Sequence, residues 1–423
     1  MSDFQGLVPL LVAGYGRSGT TALMALLGTD SRVAMGRVYP FEARPLSYSA
    51  KTALLLSRNA AESHVGGEQF FAYEDCALGV PPWLAPGFKE IAPGDIGSPS
   101  AVDWFQTIWA SFTGKVQNDT HLPHRSSQPS LQWYAEKVAA WAPAFVRSHL
   151  PARTLYLFRD PRDMYLSANA IMRQRNYFSF GRGPQDSDLD HARNLAYEFL
   201  LYFENYRADK QREDCLLIQY ADLVRDMGGV AKRLQDFAGL RCLPNEMAQD
   251  LGFHRTASSP EASIDRWRRE SFPKGVLNFL ENYLRESLDA LKYPIDEKPR
   301  VCPGMEFRVN DENGIRVRFK EGKAFVDVPL DPLEARSWWE LWISLYGPSL
   351  DRVGISWRTA NQDYSEGNSL FQPWYDARHW RVLRFPVGQQ ESWQGRITGL
   401  RVELKANPAP DPFAYLRWVR LVE

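Results

Sequence analysis

Residues 8–21 read VPLLVAGYGRSGTT, and the join between the apolar run and the glycines decides how the rest of the chain is read. VPLLVA is a short, continuously apolar segment of the kind buried in a parallel sheet. In GYGRSGTT the glycines permit a tight turn and close backbone approach to a ligand, and Thr20 and Thr21 open a helix. The phosphate-loop template G-x-x-x-x-G-K-[ST] is met at Gly14 and Gly19, but Thr20 stands where the lysine belongs. In a nucleoside triphosphatase that lysine contacts the β- and γ-phosphates. Successive backbone N–H groups, a helix N-terminus and the charge of Arg17 still make an anion site. The loop therefore reads either as a site for a donor with a different terminal group or as a plain strand-to-helix turn.

Outward from this loop, helix TTALMALLGT, short strand SRVAMG and a further loop and helix continue a βαβ alternation. From about 60 to 130 the pattern changes. PPWLAPGFKEIAPGDIGSPS and the helical AVDWFQTIWASF read as an insertion over the sheet. Alternation resumes with LQWYAEKVAAWAPAFVRSHL as a helix, RTLYLF (153–158) as a strand and DMYLSANAIMRQR as a helix. A long amphipathic helix covers about 189–212, with Leu195, Phe199, Tyr202 and Tyr206 at helical spacing. Strand CLLIQY, helix GGVAKRLQDFAGL and a final helix over about 273–292 complete the series.

After the Pro-rich stretch 292–304 the character shifts to short alternating strands: IRVRF, KAFVDV, WELWISLYG, RVGISWR, HWRVLRFPV, ITGLRVEL and YLRWVRLV. The expected architecture is a parallel α/β sheet of P-loop topology over 1–298, then a jelly-roll-like β-sandwich over 303–423.

Composition narrows the function. With 423 residues, 44% hydrophobic, 24% charged and a net charge of −1, the chain is long enough for two ordinary domains and has no global basic field for nucleic acid. The N-terminus lacks the basic segment of a signal peptide and no apolar run spans a bilayer, so a cytoplasmic location is expected. Cys76, Cys215, Cys242 and Cys302 have no C-x-x-C spacing and no histidine at ligand distance, which favours free thiols over a metal centre.

A second motif sharpens the first. RTLYLFRDPRDMYLS (153–167) ends a strand at Arg159 and places Ser167 on the first turns of the next helix, where the pair could hold one phosphate. Asp160 and Asp163 could instead pair with Arg162 at the surface. Together, RSGTT at 17–21 and RDPRD…S at 159–167 resemble the sulfotransferases that use 3′-phosphoadenylyl sulfate (PAPS). QYADLVRD (219–226) and HRTASSPEASIDRWRRE extend the resemblance over most of 7–295.

That resemblance implies Arg17, Ser18, Gly19, Thr20 and Thr21 at the 5′-phosphosulfate, and Arg159 and Ser167 at the 3′-phosphate. It also implies Tyr220 at the adenine and Arg266, Trp267 and Arg268 closing over the nucleotide. Many members carry lysine where this chain has Arg17, whose planar fork is a different donor.

Sulfuryl transfer needs a base for the acceptor hydroxyl and cations around the transferred group, by analogy with phosphoryl transfer. No metal is required, because the donor lacks the diphosphate that Mg²⁺ bridges. In VYPFEARP, Glu42 is the first candidate base, with an ion pair to Arg44 as its alternative role; His121 and His124 are the other bases. Lys137, in YAEKVAAWAP, resembles the family's cation at the bridging oxygen, or is a solvated helix lysine beside Glu136.

Trp83, Trp104 and Trp109 are expected to wall the acceptor pocket. Eight of fourteen tryptophans lie beyond 330, suited either to stacking on sugar or to filling a sandwich core. The reading is a PAPS-dependent sulfotransferase with a hydroxyl acceptor, a glycan or glycolipid. The competing readings are a P-loop kinase with an atypical loop and a non-catalytic carbohydrate-binding protein.

Overall fold

The structure, a computed structural model, describes residues 6–36, 38–56, 101–118, 131–247, 256–295, 306–308, 314–329, 332–335, 340–348, 350–374, 377–406 and 412–422. The chain divides into two compact units: Met1–Leu195 with Asp209–Lys274, and Ala196–Ala208 with Gly275–Glu423.

The first unit is built on a five-stranded parallel sheet of order β2-β3-β1-β4-β5. Its strands are β1 (Val8–Ala13), β2 (Val33–Ala34), β3 (Trp133–Val138), β4 (Arg153–Phe158) and β5 (Cys215–Gln219). Leu10 to Ala13 and Leu155 to Leu157 are fully buried, as the continuous apolar runs require in a sheet covered on both faces. Its helices are α1 (Thr20–Leu27), α2 (Pro45–Leu56), α3 (Ala101–Asn118), α4 (Ala142–His149), α5 (Pro161–Arg175), α7 (Tyr220–Arg225) and α8 (Met227–Ala238); α6 (Asp188–Asp209), between β4 and β5 in sequence, belongs mostly to the second unit. Gly14, Arg159 and Tyr220 directly follow β1, β4 and β5, and Lys137 is the penultimate residue of β3. The sheet's C-terminal edge, where open α/β sheets bind ligands, thus collects the motif residues.

One expectation is corrected here. Residues 131–150 are not a single helix: 133–138 form β3 between β1 and β2, and only 142–149 are helical. Ala, Glu and Lys favour a helix, but every residue from Tyr134 to Val138 is buried, which no amphipathic surface helix would allow. Pro143, in the first turn of α4, marks the true helix start.

A second correction concerns Trp109 on α3. Rather than walling a pocket, it is fully buried, packs on Phe112 and Tyr134, and donates through Nε1 to the Leu7 carbonyl at 3.3 Å. Trp83, the side chain of Trp104, His121 and His124 lie outside the described residues.

In the second unit, the helix expected over 273–292 is two, α9 (Val276–Tyr283) and α10 (Arg285–Ala290). They part where Leu284 is fully buried and leaves helical geometry. The strands are β6 (Glu306–Arg308), β7 (Ile315–Arg318), β8 (Lys323–Val328), β9 (Leu333–Glu334), β10 (Glu340–Gly347), β11 (Leu350–Thr359), β12 (Ser369–Pro373), β13 (Ala377–Phe385), β14 (Arg396–Ala406) and β15 (Phe413–Val422). They form two antiparallel sheets, β13-β10-β15-β6 with β7 on β15, and β12-β11-β14-β8 with β9 on β14. Leu341, Ile343 and Leu345 of one sheet share a core with Val353, Ile355, Trp357 and Val402 of the other, so the unit is a β-sandwich.

Of the eight tryptophans beyond 330, Trp342, Trp357, Trp374, Trp380, Trp393 and Trp418 are buried. They fill the interior instead of presenting sugar platforms; Trp338 and Trp339 lie outside the described residues.

Candidate functional site

The loop after β1 holds a conformation that its glycines explain. Gly19 has φ 102°, and a Cβ there would lie 2.4 Å from the Tyr220 ring, so no other residue fits without displacement. Arg17 also lies at positive φ, 71°, and aims its guanidinium across the sheet edge. Because Gly19 offers no side chain to cap α1, the helix opens on backbone N–H groups alone. Ser18 is buried and, among the described residues, its Oγ has no hydrogen-bond partner, which is costly unless a ligand supplies one.

Arg159 and Ser167 meet this loop from β4 and α5. Arg17 Nε donates to Ser167 Oγ at 3.1 Å, and Ser167 Oγ also lies 3.1 Å from Thr256 Oγ1. Arg159 donates to the Arg17 and Ser263 carbonyls, at 3.1 and 2.6 Å, and stacks over the Tyr220 ring. Tyr220 OH lies 2.8 Å from Ser263 Oγ. Arg266 reaches Thr256 Oγ1 at 3.1 Å and pairs with Glu270. Burial and then the neighbouring Arg159 pull Arg17 down to about 10; burial also lowers Arg159. Such a concentration of buried cations, beside a helix N-terminus, favours a ligand with several negative charges.

The cleft at this edge has a volume of about 440 Å³. Arg17, Gly19, Thr20, Thr21, Arg159 and Tyr220 line its polar side, and Leu223, Val224, Met227 and Met247 its apolar side. A polyanion with a flat apolar portion matches both walls.

Trp267 and Arg268 do not line this cleft. The Trp267 ring has the Arg162 and Arg268 guanidinium groups over it at 3.7 and 4.8 Å, and the backbone N–H of Trp267 donates to Asp163 Oδ1 at 2.9 Å. The charges of the DPRD turn are therefore not a surface cluster. Arg162 is fully buried and paired with Asp160, and burial raises Asp163 to about 6.

Lys137 and Glu42 complete the edge. From β3, Lys137 Nζ reaches Thr21 Oγ1 at 2.8 Å, the Pro40 carbonyl at 2.6 Å and Glu42 Oε1 at 3.4 Å. The lysine is buried, and burial lowers it to about 8 against the pull of Glu42. A cation absent from position 20 of the loop is thus brought to its end by the adjacent strand. Glu42 is half-exposed and also approaches Arg44 at 3.6 Å. Its carboxylate is open enough to meet an incoming hydroxyl.

Sequence reading missed Thr256 and Ser263, whose only signal was the density of Ser and Thr in 256–263, and Phe180. The Phe180 ring packs where a Cβ on Gly16 would sit, 2.7 Å away, and lies beside Arg17. Among the described residues, no group of three or more His, Cys, Asp or Glu could hold a metal ion, and no helix is long and apolar enough to cross a membrane.

Comparison with known proteins places the chain. A family profile described as "Sulfotransferase family" matches residues 9–244, more than half of the chain. Sulfotransferase 2A6 of Rattus norvegicus is 24% identical over 194 residues, 41% of this chain and 56% of the rat protein's length. Among solved structures, the sulfotransferase domain from the curacin biosynthetic pathway is 14% identical, covers 69% of this chain and 99% of that one, and has a TM-score of 0.39. Mouse sulfotransferase SULT7A1, complexed with PAP, is 12% identical over 66% of this chain and 84% of its own, with a TM-score of 0.34.

Proposed function

This chain belongs to the sulfotransferase family, and from that premise we propose that it transfers a sulfuryl group from PAPS to a hydroxyl acceptor. The observation that carries the reading is the cleft's charge. Arg159 is buried, and among the described residues no carboxylate stands within ion-pair distance of it. An anionic ligand answers that charge.

In this reading the loop 17–21 and the start of α1 receive the 5′-phosphosulfate. Arg159 and Ser167 receive the 3′-phosphate, Tyr220 lies against the base, and Arg266 braces the rim through Thr256. The acceptor hydroxyl gives its proton to Glu42. Its oxygen attacks sulfur in line, a new S–O bond forms, and the bond to the 5′-phosphate oxygen breaks. Lys137, with Thr21, stabilises the charge gathering on that leaving oxygen, and adenosine 3′,5′-bisphosphate (PAP) is released. Trp267 and Arg268 act behind the cleft by holding the segment that bears Arg266.

We take the acceptor to be a carbohydrate or glycolipid hydroxyl. Support comes from the outer face of the β12-β11-β14-β8 sheet, where Phe371 and Phe325 are exposed and Arg352 and Arg401 lie over their rings. Aromatic faces edged by polar groups suit sugar rings.

The test is stabilisation by PAP but not by ATP with Mg²⁺, followed by transfer from labelled donor to a panel of glycan acceptors. Glu42→Gln should then lower kcat by about 10²- to 10⁴-fold. Stabilisation by ATP with Mg²⁺ alone would overturn the reading.

A further inference from the structure

Glu136 is a fully buried carboxylate on β3, next in sequence to Lys137 and on the opposite face of the strand. Among the described residues, none of its hydrogen-bond partners lines the nucleotide cleft. Its Oε2 accepts from the Leu46 N–H at 2.9 Å, and its Oε1 from the Ser47 N–H at 2.8 Å and the Ser47 hydroxyl at 2.6 Å. Both N–H groups belong to the first turn of α2, whose other intrahelical partners do not exist, so the carboxylate completes that helix end.

The segment between β2 and α2 carries Glu42, and two consecutive strand residues hold it. Lys137 grips it at the Pro40 carbonyl, before Glu42, and Glu136 grips it at Leu46 and Ser47, after Glu42. Burial pushes Glu136 up to about 7, while Ser47, Leu46 and the nearby Arg44 pull it back; Tyr134 also bonds to it. A carboxylate kept in so unfavourable a place by three donors from one turn has a constraining role.

We infer that Glu136 is a positioning residue, fixing the start of α2 so that Glu42 stands at the acceptor side of the sheet edge. It touches neither donor nor acceptor and acts through Glu42. The inference rests on the sulfuryl-transfer reading for its kinetic part only.

The test combines kinetics with hydrogen exchange on the full chain. Glu136→Gln keeps the shape but turns an amide N–H₂ toward donors, so one N–H of α2 loses its acceptor. It should lower kcat by about 10- to 100-fold while leaving PAP affinity within about twofold, as a misplaced catalytic group does. Ser47→Ala, a milder change that removes one donor, should move kcat in the same direction by less.

The double variant Glu136→Gln/Glu42→Gln should fall no lower than Glu42→Gln alone, because one residue acts through the other. Amides over 38–47 should exchange faster in Glu136→Gln, with β1 and β4 still protected. Multiplying losses in the double variant, or unchanged exchange over 38–47, would overturn the inference. If the wild-type chain transfers no sulfuryl group, the functional reading fails, and the exchange result still decides the role of Glu136.

Discussion

Arg159 and Arg417 are both buried arginines, one at the parallel-sheet edge and one in the sandwich unit, yet their surroundings differ in kind. Arg417 forms an ion pair with Glu204, which also accepts from Trp418 Nε1 at 3.1 Å, and the guanidinium stacks on Trp380 at 3.7 Å. Arg159 is answered by two backbone carbonyls and the face of Tyr220. Among the described residues each leaves its Nε without a partner, so an orphaned N–H alone does not separate them. The carboxylate does. A cation paired within its own chain is finished architecture, whereas Arg159, held by dipoles with Asp163 and Asp160 acting on it only from beyond ion-pair distance, has charge left for a ligand.

The comparison breaks most sharply on paired substitutions. Arg417→Met leaves Glu204 buried and unpaired, and should cost about 3–5 kcal/mol of stability, read on the denaturation transition reported by the sandwich tryptophans. PAP affinity should stay within about twofold. Arg159→Met should do the reverse, weakening PAP by about 100-fold, roughly 3 kcal/mol, in calorimetric titration, while costing the free protein less than Arg417→Met does, about 1–2 kcal/mol for the Arg17 and Ser263 carbonyls left without their donor. Exchanged outcomes would sink the distinction.

A smaller effect sharpens it at Lys137, a third buried cation and one that can titrate. Its value near 8 lies below that of an unfolded lysine, so the folded form loses its proton first as pH rises. The stability it costs is present below pH 8 and relieved between about 8 and 10.5. Donor binding moves the other way. PAP affinity should fall by up to about 10-fold from pH 7.5 to 9.5, and Lys137→Arg should flatten that limb. An identical limb in the variant would assign the titration elsewhere.

The smallest expected effect separates exposed from interior aromatics of the sandwich. Phe371→Ala should change stability by no more than about 0.5 kcal/mol but raise the KM of a glycan acceptor. An unchanged KM would leave that sheet face with no part in acceptor binding.

Much of this was legible from local pattern. The strand-loop-helix at 8–27 and the strand at 153–158 appear as read, as do the strand segments read beyond 303, because each is specified by neighbours within a few residues. Pro161–Asp163, read as a turn, instead open α5 behind the Asp160 cap, and β6, β9 and β12 were not read. The stretch 131–150 was misread for the converse reason. Its composition favours a helix, and what makes 133–138 a strand is pairing with β1 and β2, more than 95 residues earlier. The tryptophans of the sandwich were ambiguous for the same cause, since burial depends on the partner sheet and not on the residue.

What the sequence by itself determined is the anion-binding loop without its lysine, the second arginine–serine motif and the alternation of the two halves. These are short-range facts of turn chemistry and periodicity. Only the tertiary structure decided that Lys137 reaches Thr21, 116 residues away, and that Glu136 closes the start of α2, 89 residues away. Both follow from strand order. Placing β3 beside β1 sends two adjacent side chains to opposite faces of one strand, one to the loop and one to the helix that follows Glu42.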